Sequence, residues 1–330
     1  MMADPKRLRV VVLTGGTSAE REVCLMSGGK VLAALDPARY QAVSVDLADV
    51  VHSGDVSAIL CAFGEGTRPD VVFIALHGGA GENGTVQGLL DLLGVPYTGS
   101  GVLASALALN KIISKKLFER AGIPTPEWLS LSSSERGRAA DRVTSAFDLP
   151  CVVKPAHEGS SIGVTIVKQR ADIEPALDLA LQYGPEVLVE QYIEGIEITG
   201  AVLGNDDPRV LPLIEIVPGN EFYDYDAKYT PGATDEIIPA RISDAQVERA
   251  RELTLAAHRL IGCRGMSRVD MIVAPSEIYV LELQTIPGLT ETSLVPRAAE
   301  AAGISFPEFV DTLIRFALED RGSGGAGRST

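Results

Sequence analysis

The chain has 330 residues, of which 46% are hydrophobic, and a formal net charge of −15. That length allows two or three domains with buried cores. The acidic excess argues against nonspecific nucleic-acid binding, which depends on basic patches. No apolar run is long enough to span a bilayer and no signal-peptide pattern begins the chain, so we expect a cytoplasmic protein without a membrane partner. The four cysteines lack CxxC spacing, which predicts reduced thiols.

The first hundred residues alternate between strand and helix patterns. Apolar, β-branched runs predict strands at 9–13, 42–47 and 71–76. An amphipathic stretch at 18–35 separates the first two, so we expect a parallel sheet with crossover helices and ligands at the carboxyl ends of its strands. The turns at Gly15-Gly16 and 77–79 lie at that edge. Residues 14–19 lack the GxGxxG spacing, which disfavours a nicotinamide-dependent oxidoreductase.

After residue 100 the pattern changes to a helix at 110–121 and short strands at 151–154 and 163–167. The segment 154–163 between those strands is rich in small residues, whose backbone N–H groups can approach phosphate oxygens closely. The alternative is a hairpin loop with solvated serines.

Two further segments have the composition of ligand-contacting loops. Residues 186–193 predict a strand that ends in a bend at Glu194-Gly195, and such a linker could recognise adenine and ribose between two domains. The alternative is a solvated strand end. Residues 222–229 combine aromatic and charged side chains, which suits a mobile lid; the alternative is an aromatic-anchored surface loop.

Near the C-terminus, residues 267–273 and 277–284 alternate apolar and polar side chains and predict a β-hairpin. A three-residue loop at 275–277 would set Asp270 opposite Glu282, whereas a two-residue loop would send the two carboxylates to opposite faces. Facing carboxylates repel unless a cation lies between them, and oxygen ligands at this spacing suit magnesium.

Together these features resemble the ATP-grasp ligases, and more specifically the D-alanine–D-alanine ligase family. The resemblance spans about residues 9 to 310 in collinear order and is carried by the motifs at 15–23, 75–78, 84–88, 96–101, 158–163, 222–225 and 287–290. It implies an α/β fold in which an N-terminal parallel-sheet (preATP-grasp) domain precedes a two-part α+β ATP-grasp module. The corresponding boundaries are 1–100, 101–193 and 194–320, followed by a flexible tail at 321–330.

The resemblance also implies an activity. Members of this family join two D-alanines at the expense of ATP, through a D-alanyl phosphate, for peptidoglycan precursor synthesis. The implied co-substrate is ATP, the implied metals are two Mg²⁺ or Mn²⁺ ions, and the implied assembly is a homodimer.

The family motifs assign roles to individual positions by their match alone. The nucleotide site would comprise Lys111, Lys154, Glu158, Gly159, Ser160, Ser161, Glu190, Gln191, Ile193, Glu197, Phe222 and Lys228. The D-alanines would contact Glu20, His77, Arg268, Gly288, Ser293 and Leu294. Catalysis would involve Glu20, Ser160, Tyr229, Arg268 and Gly288, and the metals would bind Asp270, Glu282 and Gln284.

Glu20 would hold the ammonium of the first D-alanine, with Ser160 and Tyr229 completing a hydrogen-bonded trio. A local alternative is a capping box over residues 17–20, in which Glu20 bonds back to the helix start. Arg268 and the Gly288 N–H would face the oxyanion of the tetrahedral intermediate.

Two positions depart from the family pattern. Gln284 stands where Asn is usual, so we expect the second metal to be held more weakly. Asn110 stands where Asp is usual before Lys111, and we expect little effect. Lys228-Tyr229 looks like the lid of peptide-forming members rather than of D-lactate-using ones. Two other functions stay open: a ligase for D-serine or another second substrate, and a nucleotide-binding ATP-grasp protein without ligase activity.

Overall fold

The computed structural model describes residues 7–218, 234–291 and 293–323. Its N-terminal part is a parallel three-stranded sheet in the order β2-β1-β3, as predicted. The strands are β1 (Leu8–Thr14), β2 (Tyr40–Asp46) and β3 (Val71–Ile74), and the helices are α1 (Arg21–Ala34), α2 (Leu47–Ser53), α3 (Ser57–Leu60), α4 (Gly79–Glu82) and α5 (Thr85–Leu93). Residues 10–13 are fully buried, since elements cover both faces of this sheet.

The central part is an antiparallel four-stranded sheet in the order β4-β7-β5-β6. Its strands are β4 (Trp128–Ser132), β5 (Cys151–Pro155), β6 (Thr165–Val167) and β7 (Glu186–Gln191), and its helices are α6 (Val102–Leu109), α7 (Lys111–Ala121), α8 (Ala139–Ala146) and α9 (Ile173–Ala180). Asn110 caps α7, because its side-chain oxygen accepts a hydrogen bond from the Ile113 N–H at 3.0 Å. Asn and Asp are about equally good caps, which agrees with the small effect expected of Asn110.

The C-terminal part contains an antiparallel sheet in the order β11-β10-β8-β12-β13, with β9 paired to β8. Its strands are β8 (Ile196–Gly204), β9 (Arg209–Val210), β10 (Ile214–Pro218), β11 (Thr234–Ile237), β12 (Gly265–Val273) and β13 (Ile278–Gln284). Its helices are α10 (Asp244–Ile261), α11 (Leu294–Ala301) and α12 (Phe306–Ser323). Helix α12 therefore includes residues 321–323, where the sequence predicted a tail.

The β12–β13 hairpin reaches the favourable register by a different route from the one predicted. Its connection has four residues, 274–277, and this length alone would pair Asp270 with Leu281. A β-bulge between Met271 and Asp270 adds one residue to β13, so that Asp270 lies opposite Glu282. Beside the turn the register is that of the two-residue loop, since the Ala274 N–H donates to the Glu277 carbonyl at 3.0 Å, but the bulge still gives the predicted pairing of the carboxylates.

The N-terminal sheet and the C-terminal part share one hydrophobic core. Phe309, Val310 and Leu313 of α12 pack in the same cluster as the buried residues of β1 and β3. The central sheet has a separate core, formed with α8 and α9. Within the described ranges, no helix combines the length and apolarity needed to cross a membrane.

Candidate active site and nucleotide cleft

A cavity of about 670 Å³ lies where the carboxyl edge of the parallel sheet meets the loop after β5 and the C-terminal sheet. It is lined by all of the described residues that the sequence predicted for catalysis or D-alanine binding: Glu20, His77, Ser160, Arg268, Gly288, Ser293 and Leu294. These residues come from five separate segments, so only the folded chain brings them together. Phe222, Lys228 and Tyr229 lie outside the described residues.

Glu20 presents a buried carboxylate to this cavity. It occupies the N-cap position of α1 but makes no capping hydrogen bond, so the local capping-box alternative is wrong. Its Oε1 instead accepts a hydrogen bond from the Ser160 hydroxyl. Its Oε2 is buried without a hydrogen-bond partner in the described part of the chain. A buried carboxylate oxygen left unpaired is costly, and an ammonium group would satisfy it.

The loop after β5 supplies Ser160 through an unusual backbone. Ser160 and Ser161 have φ angles of 50° and 57°, in the left-handed region that residues other than glycine rarely adopt. Ser160 is buried, contrary to the alternative of a loop with solvated serines. Gly159 lies against Glu20, where a Cβ atom would come within 3.2 Å of the carboxylate Oε2. A side chain at 159 would therefore displace the Glu20 carboxylate by a few tenths of an ångström.

A second cavity of about 160 Å³ lies between the central and C-terminal sheets and shares Gly159 with the first. It is lined by eight residues predicted for the nucleotide site: Lys111, Lys154, Glu158, Gly159, Ser161, Glu190, Ile193 and Glu197. The Gln191 side chain is exposed at the end of β7 and is not part of the lining.

Glu190 is the most enclosed acid of this cleft, which contradicts the alternative of a solvated strand end. It forms ion pairs with Lys154 and Lys115, and both lysines are buried. Burial alone would raise the pKa of Glu190, but the two ammonium groups outweigh it and lower that pKa. Burial lowers the pKa of Lys115 to about 8. Sequence reasoning missed Lys115, although its position four residues after Lys111 places both on one helix face.

The predicted metal ligands face each other across the β12–β13 hairpin, each with a cationic partner. Arg268 donates to both Asp270 oxygens, at 2.9 and 2.7 Å. The Lys111 ammonium lies 3.1 Å from Glu282 Oε2. The Gln284 amide nitrogen donates to Glu282 Oε1 at 3.2 Å, so its amide oxygen does not face this carboxylate.

This donor set is small. No group of three or more His, Cys, Asp or Glu side chains suited to a metal occurs among residues 7–218, 234–291 and 293–323. Two carboxylates fit magnesium, which completes its octahedron with water and substrate phosphates. The residues therefore fit a metal that arrives with a phosphate ligand.

Three further acids of the larger cavity were missed from the sequence: Glu82, Glu236 and the exposed Glu291. The pKa of Glu82 is raised to about 8 by burial and by the nearby Glu20 carboxylate. Its Oε2 accepts a hydrogen bond from the Gly78 N–H at 2.7 Å. Glu236 forms an ion pair with Arg297. The glycine-rich turn after β3 was the available signal for Glu82, since it brings α4 to the carboxyl edge of the sheet.

A lysine-lined cleft between two antiparallel sheets, opening beside an acid-lined cavity, is the arrangement of the ATP-grasp class. Comparisons with known proteins agree. Family models described as the D-ala D-ala ligase C-terminus and N-terminus match residues 117–315 and 62–100. The D-alanine–D-alanine ligase of Syntrophobacter fumaroxidans is 50% identical over 317 residues, which cover 96% of this chain and 99% of that protein.

Solved structures are similar as well. The D-alanine–D-alanine ligase of Bacillus anthracis complexed with ATP is 32% identical, with a TM-score of 0.79 over 96% of this chain and 100% of that one. The VanG D-Ala:D-Ser ligase of Enterococcus faecalis is 30% identical, with a TM-score of 0.81 over 94% and 100%. The chain therefore belongs to the D-alanine–D-alanine ligase family.

Proposed function

We propose that this protein joins two D-alanines into D-alanyl-D-alanine, with ATP converted to ADP and phosphate, for cell-wall precursor synthesis. The observation that carries this proposal is the unpaired buried Oε2 of Glu20 in a cavity that adjoins the nucleotide cleft. An amino acid whose ammonium reached this oxygen would extend its carboxylate toward the neighbouring cleft. The carboxylate must have this orientation in order to be phosphorylated by a nucleotide in the cleft.

In the cleft, Lys111 and Lys154 would bind the triphosphate as compact point charges. Each already contacts a carboxylate, Glu282 and Glu190 respectively. These pairs fix the lysine side chains before a nucleotide binds, which reduces the entropy lost on binding. Glu190, Ile193 and Glu197 would contact the adenine and ribose.

Asp270, Glu282 and Gln284 would hold magnesium or manganese against the phosphates. Such an ion neutralises charge that concentrates on the transferring phosphoryl group. Gln284 would have to turn its amide oxygen toward the ion, because its nitrogen now faces Glu282. We expect two ions, the second held weakly for this reason.

In the first step, a carboxylate oxygen of the first D-alanine attacks the γ-phosphorus and ADP leaves, giving D-alanyl phosphate. Glu20 would hold the substrate ammonium. The Ser160 hydroxyl donates a hydrogen bond to the Glu20 carboxylate and so fixes the position of that side chain. In the second step, the amine of the second D-alanine attacks the acyl carbon, loses a proton, and displaces inorganic phosphate. The new bond is a peptide bond.

Arg268 and the Gly288 N–H would stabilise the oxyanion that forms in the second step. The two hydrogen bonds to Asp270 fix the Arg268 guanidinium plane before substrate binds. Gly288 leaves no room for a side chain, since a Cβ there would come within 2.7 Å of the Ser293 hydroxyl. Donors fixed in advance act only on charge that develops in the transition state. Ser293 and Leu294 would receive the second substrate's carboxylate.

The test is phosphate release from ATP with and without D-alanine, at graded magnesium, with mass-spectrometric identification of the product. We expect release that depends on D-alanine and yields the dipeptide. D-Alanyl-D-serine as the main product in a mixture of D-alanine and D-serine would favour the activity of the VanG ligase instead. ATP binding without D-alanine-dependent release would make the chain a nucleotide-binding protein only. We place the reaction in the cytoplasm, and a homodimer stays a prediction.

A matched pair of variants on α1 tests the role of Glu20. Glu20→Gln should raise the KM for D-alanine and leave ATP affinity unchanged, because the neutral amide does not attract an ammonium. Glu22→Gln, which alters an exposed acid two residues along, should change neither. Equal KM values for the two variants would refute the proposed ammonium site.

A further inference from the structure

Both ring nitrogens of His77 are occupied by other parts of the protein. Nδ1 lies 3.1 Å from the backbone carbonyl oxygen of Ile286, and Nε2 lies 2.8 Å from the Ser27 hydroxyl. Ser27 belongs to α1 and is fully buried, and His77 is nearly so. A ring with two protein partners has no nitrogen left for direct contact with a substrate.

These partners determine where the ring carries its proton. A carbonyl oxygen can only accept, so Nδ1 must be the donor to Ile286. In a neutral ring Nε2 is then an acceptor, and the Ser27 hydroxyl supplies its hydrogen. Burial lowers the pKa of His77, which favours this neutral form.

The peptide that His77 contacts immediately precedes the proposed oxyanion donor. Ile286 is followed by Pro287, whose ring fixes one backbone torsion, and then by Gly288. The Ile286 N–H interacts from the other side with the Glu82 carboxylate and counteracts the rise of its pKa. Glu82 is in turn held by the Gly78 N–H at 2.7 Å. The Ile286 carbonyl is therefore held by a side chain of the N-terminal part, and the Ile286 N–H faces a second one.

We propose that His77 is a positioning residue rather than a substrate ligand: its Nδ1–H holds the Ile286 carbonyl, and this bond aims the Gly288 N–H at the oxygen of the reacting carbonyl group. Ser27 completes the contacts of the ring by donating to Nε2. The inference rests on the proposed function for the role of Gly288. The prediction that Nδ1 carries the proton does not depend on the proposed function.

The first test is the tautomer of His77, read from two-bond ¹H–¹⁵N correlation spectra of the full-length protein. The chain has four histidines, and loss of one signal set in a His77→Asn variant assigns the ring. We expect a proton on Nδ1 alone, retained in Ser27→Ala because the Ile286 carbonyl accepts only from a protonated Nδ1. A proton on Nε2 would overturn the inference even if the protein proved to have no ligase activity.

The second test compares two amides at position 77. An Asn side chain places its amide nitrogen near the position of Nδ1 and can still donate to Ile286, whereas Gln reaches the position of Nε2. His77→Asn should keep kcat within roughly threefold. His77→Gln should lower kcat by about 100-fold, the usual effect of losing an oxyanion donor. Neither should change the KM for ATP.

Other outcomes of this comparison contradict the inference. Retention of kcat in His77→Gln with loss in His77→Asn would indicate a direct substrate contact through Nε2. Equal kcat values in the two variants would mean that the bond to Ile286 does not matter. The same two substitutions at the exposed His52 serve as controls and should leave kcat unchanged. If either variant at position 77 fails to fold, the wild-type tautomer decides.

Discussion

The buried charges beneath the nucleotide cleft give the most specific stability prediction. Lys115 is fully buried, contacts Glu190, and donates to Thr125 Oγ1 at 2.6 Å. Lys115→Met keeps the bulk of the side chain but removes the ammonium. Removal of one partner from a buried ion pair costs about 3–5 kcal/mol, because the other charge is left uncompensated. Lys154 still contacts Glu190, so we expect a loss of about 3 kcal/mol, or a fall in Tm of roughly 4 °C for a chain of this length.

The loss of stability caused by Lys115→Met should disappear or reverse when Glu190 is replaced by a neutral residue. In a Glu190→Gln background, Lys115 and Lys154 are two buried cations without a carboxylate between them. The two ammonium groups already repel each other in the wild type, where Lys154 lowers the pKa of Lys115. Lys115→Met should then be neutral or stabilising. The assay is the urea unfolding midpoint of the wild type, the two single variants and the double variant. An equal loss of stability in both backgrounds would show that Lys115 stabilises through packing rather than by compensating Glu190.

Three further predictions concern other sites. Burial lowers the pKa of His258 to about 4 from 6.5, so the unfolded chain binds a proton that the folded chain does not, and stability falls as the pH drops from 6.5 toward 4. Between pH 7 and 5 the free energy of unfolding in urea should fall by about 2 kcal/mol more in the wild type than in His258→Asn, and parallel pH profiles would contradict this. Gln284→Asn should lower the magnesium concentration that gives half-maximal phosphate release, since it restores the shorter ligand; identical curves would refute weaker binding by Gln284. Gly288→Ala keeps the backbone N–H but should lower kcat by up to about 100-fold without affecting ATP binding, because its Cβ would meet the Ser293 hydroxyl at 2.7 Å and displace that donor. An unchanged kcat would show that the close approach of Gly288 to Ser293 does not position the N–H.

The elements of this protein were largely predictable because their signals are local. Apolar runs at 9–13 and 71–76 predicted β1 and β3, and the alternating pattern near the C-terminus predicted β12 and β13. Strand periodicity depends only on neighbouring side chains, so one sequence suffices to detect it. The family motifs then identified about half of the residues that line the two cavities, including Glu20 and Arg268.

The alignment of those elements was decided only in three dimensions. The pairing of Asp270 with Glu282 depends on a bulge in β13, which an alternating pattern does not encode, and a four-residue connection alone would have placed Leu281 opposite Asp270. The sequence also does not indicate which residues far apart in the chain form ion pairs or hydrogen bonds. Lys115 meets Glu190 across 75 positions in the chain, and His77 meets Ile286 across 209. The type of a side chain and its neighbours in sequence determine whether it lies in a strand or a helix. Its charged or hydrogen-bonding partner is determined by how the core packs, because packing decides which distant segments become adjacent.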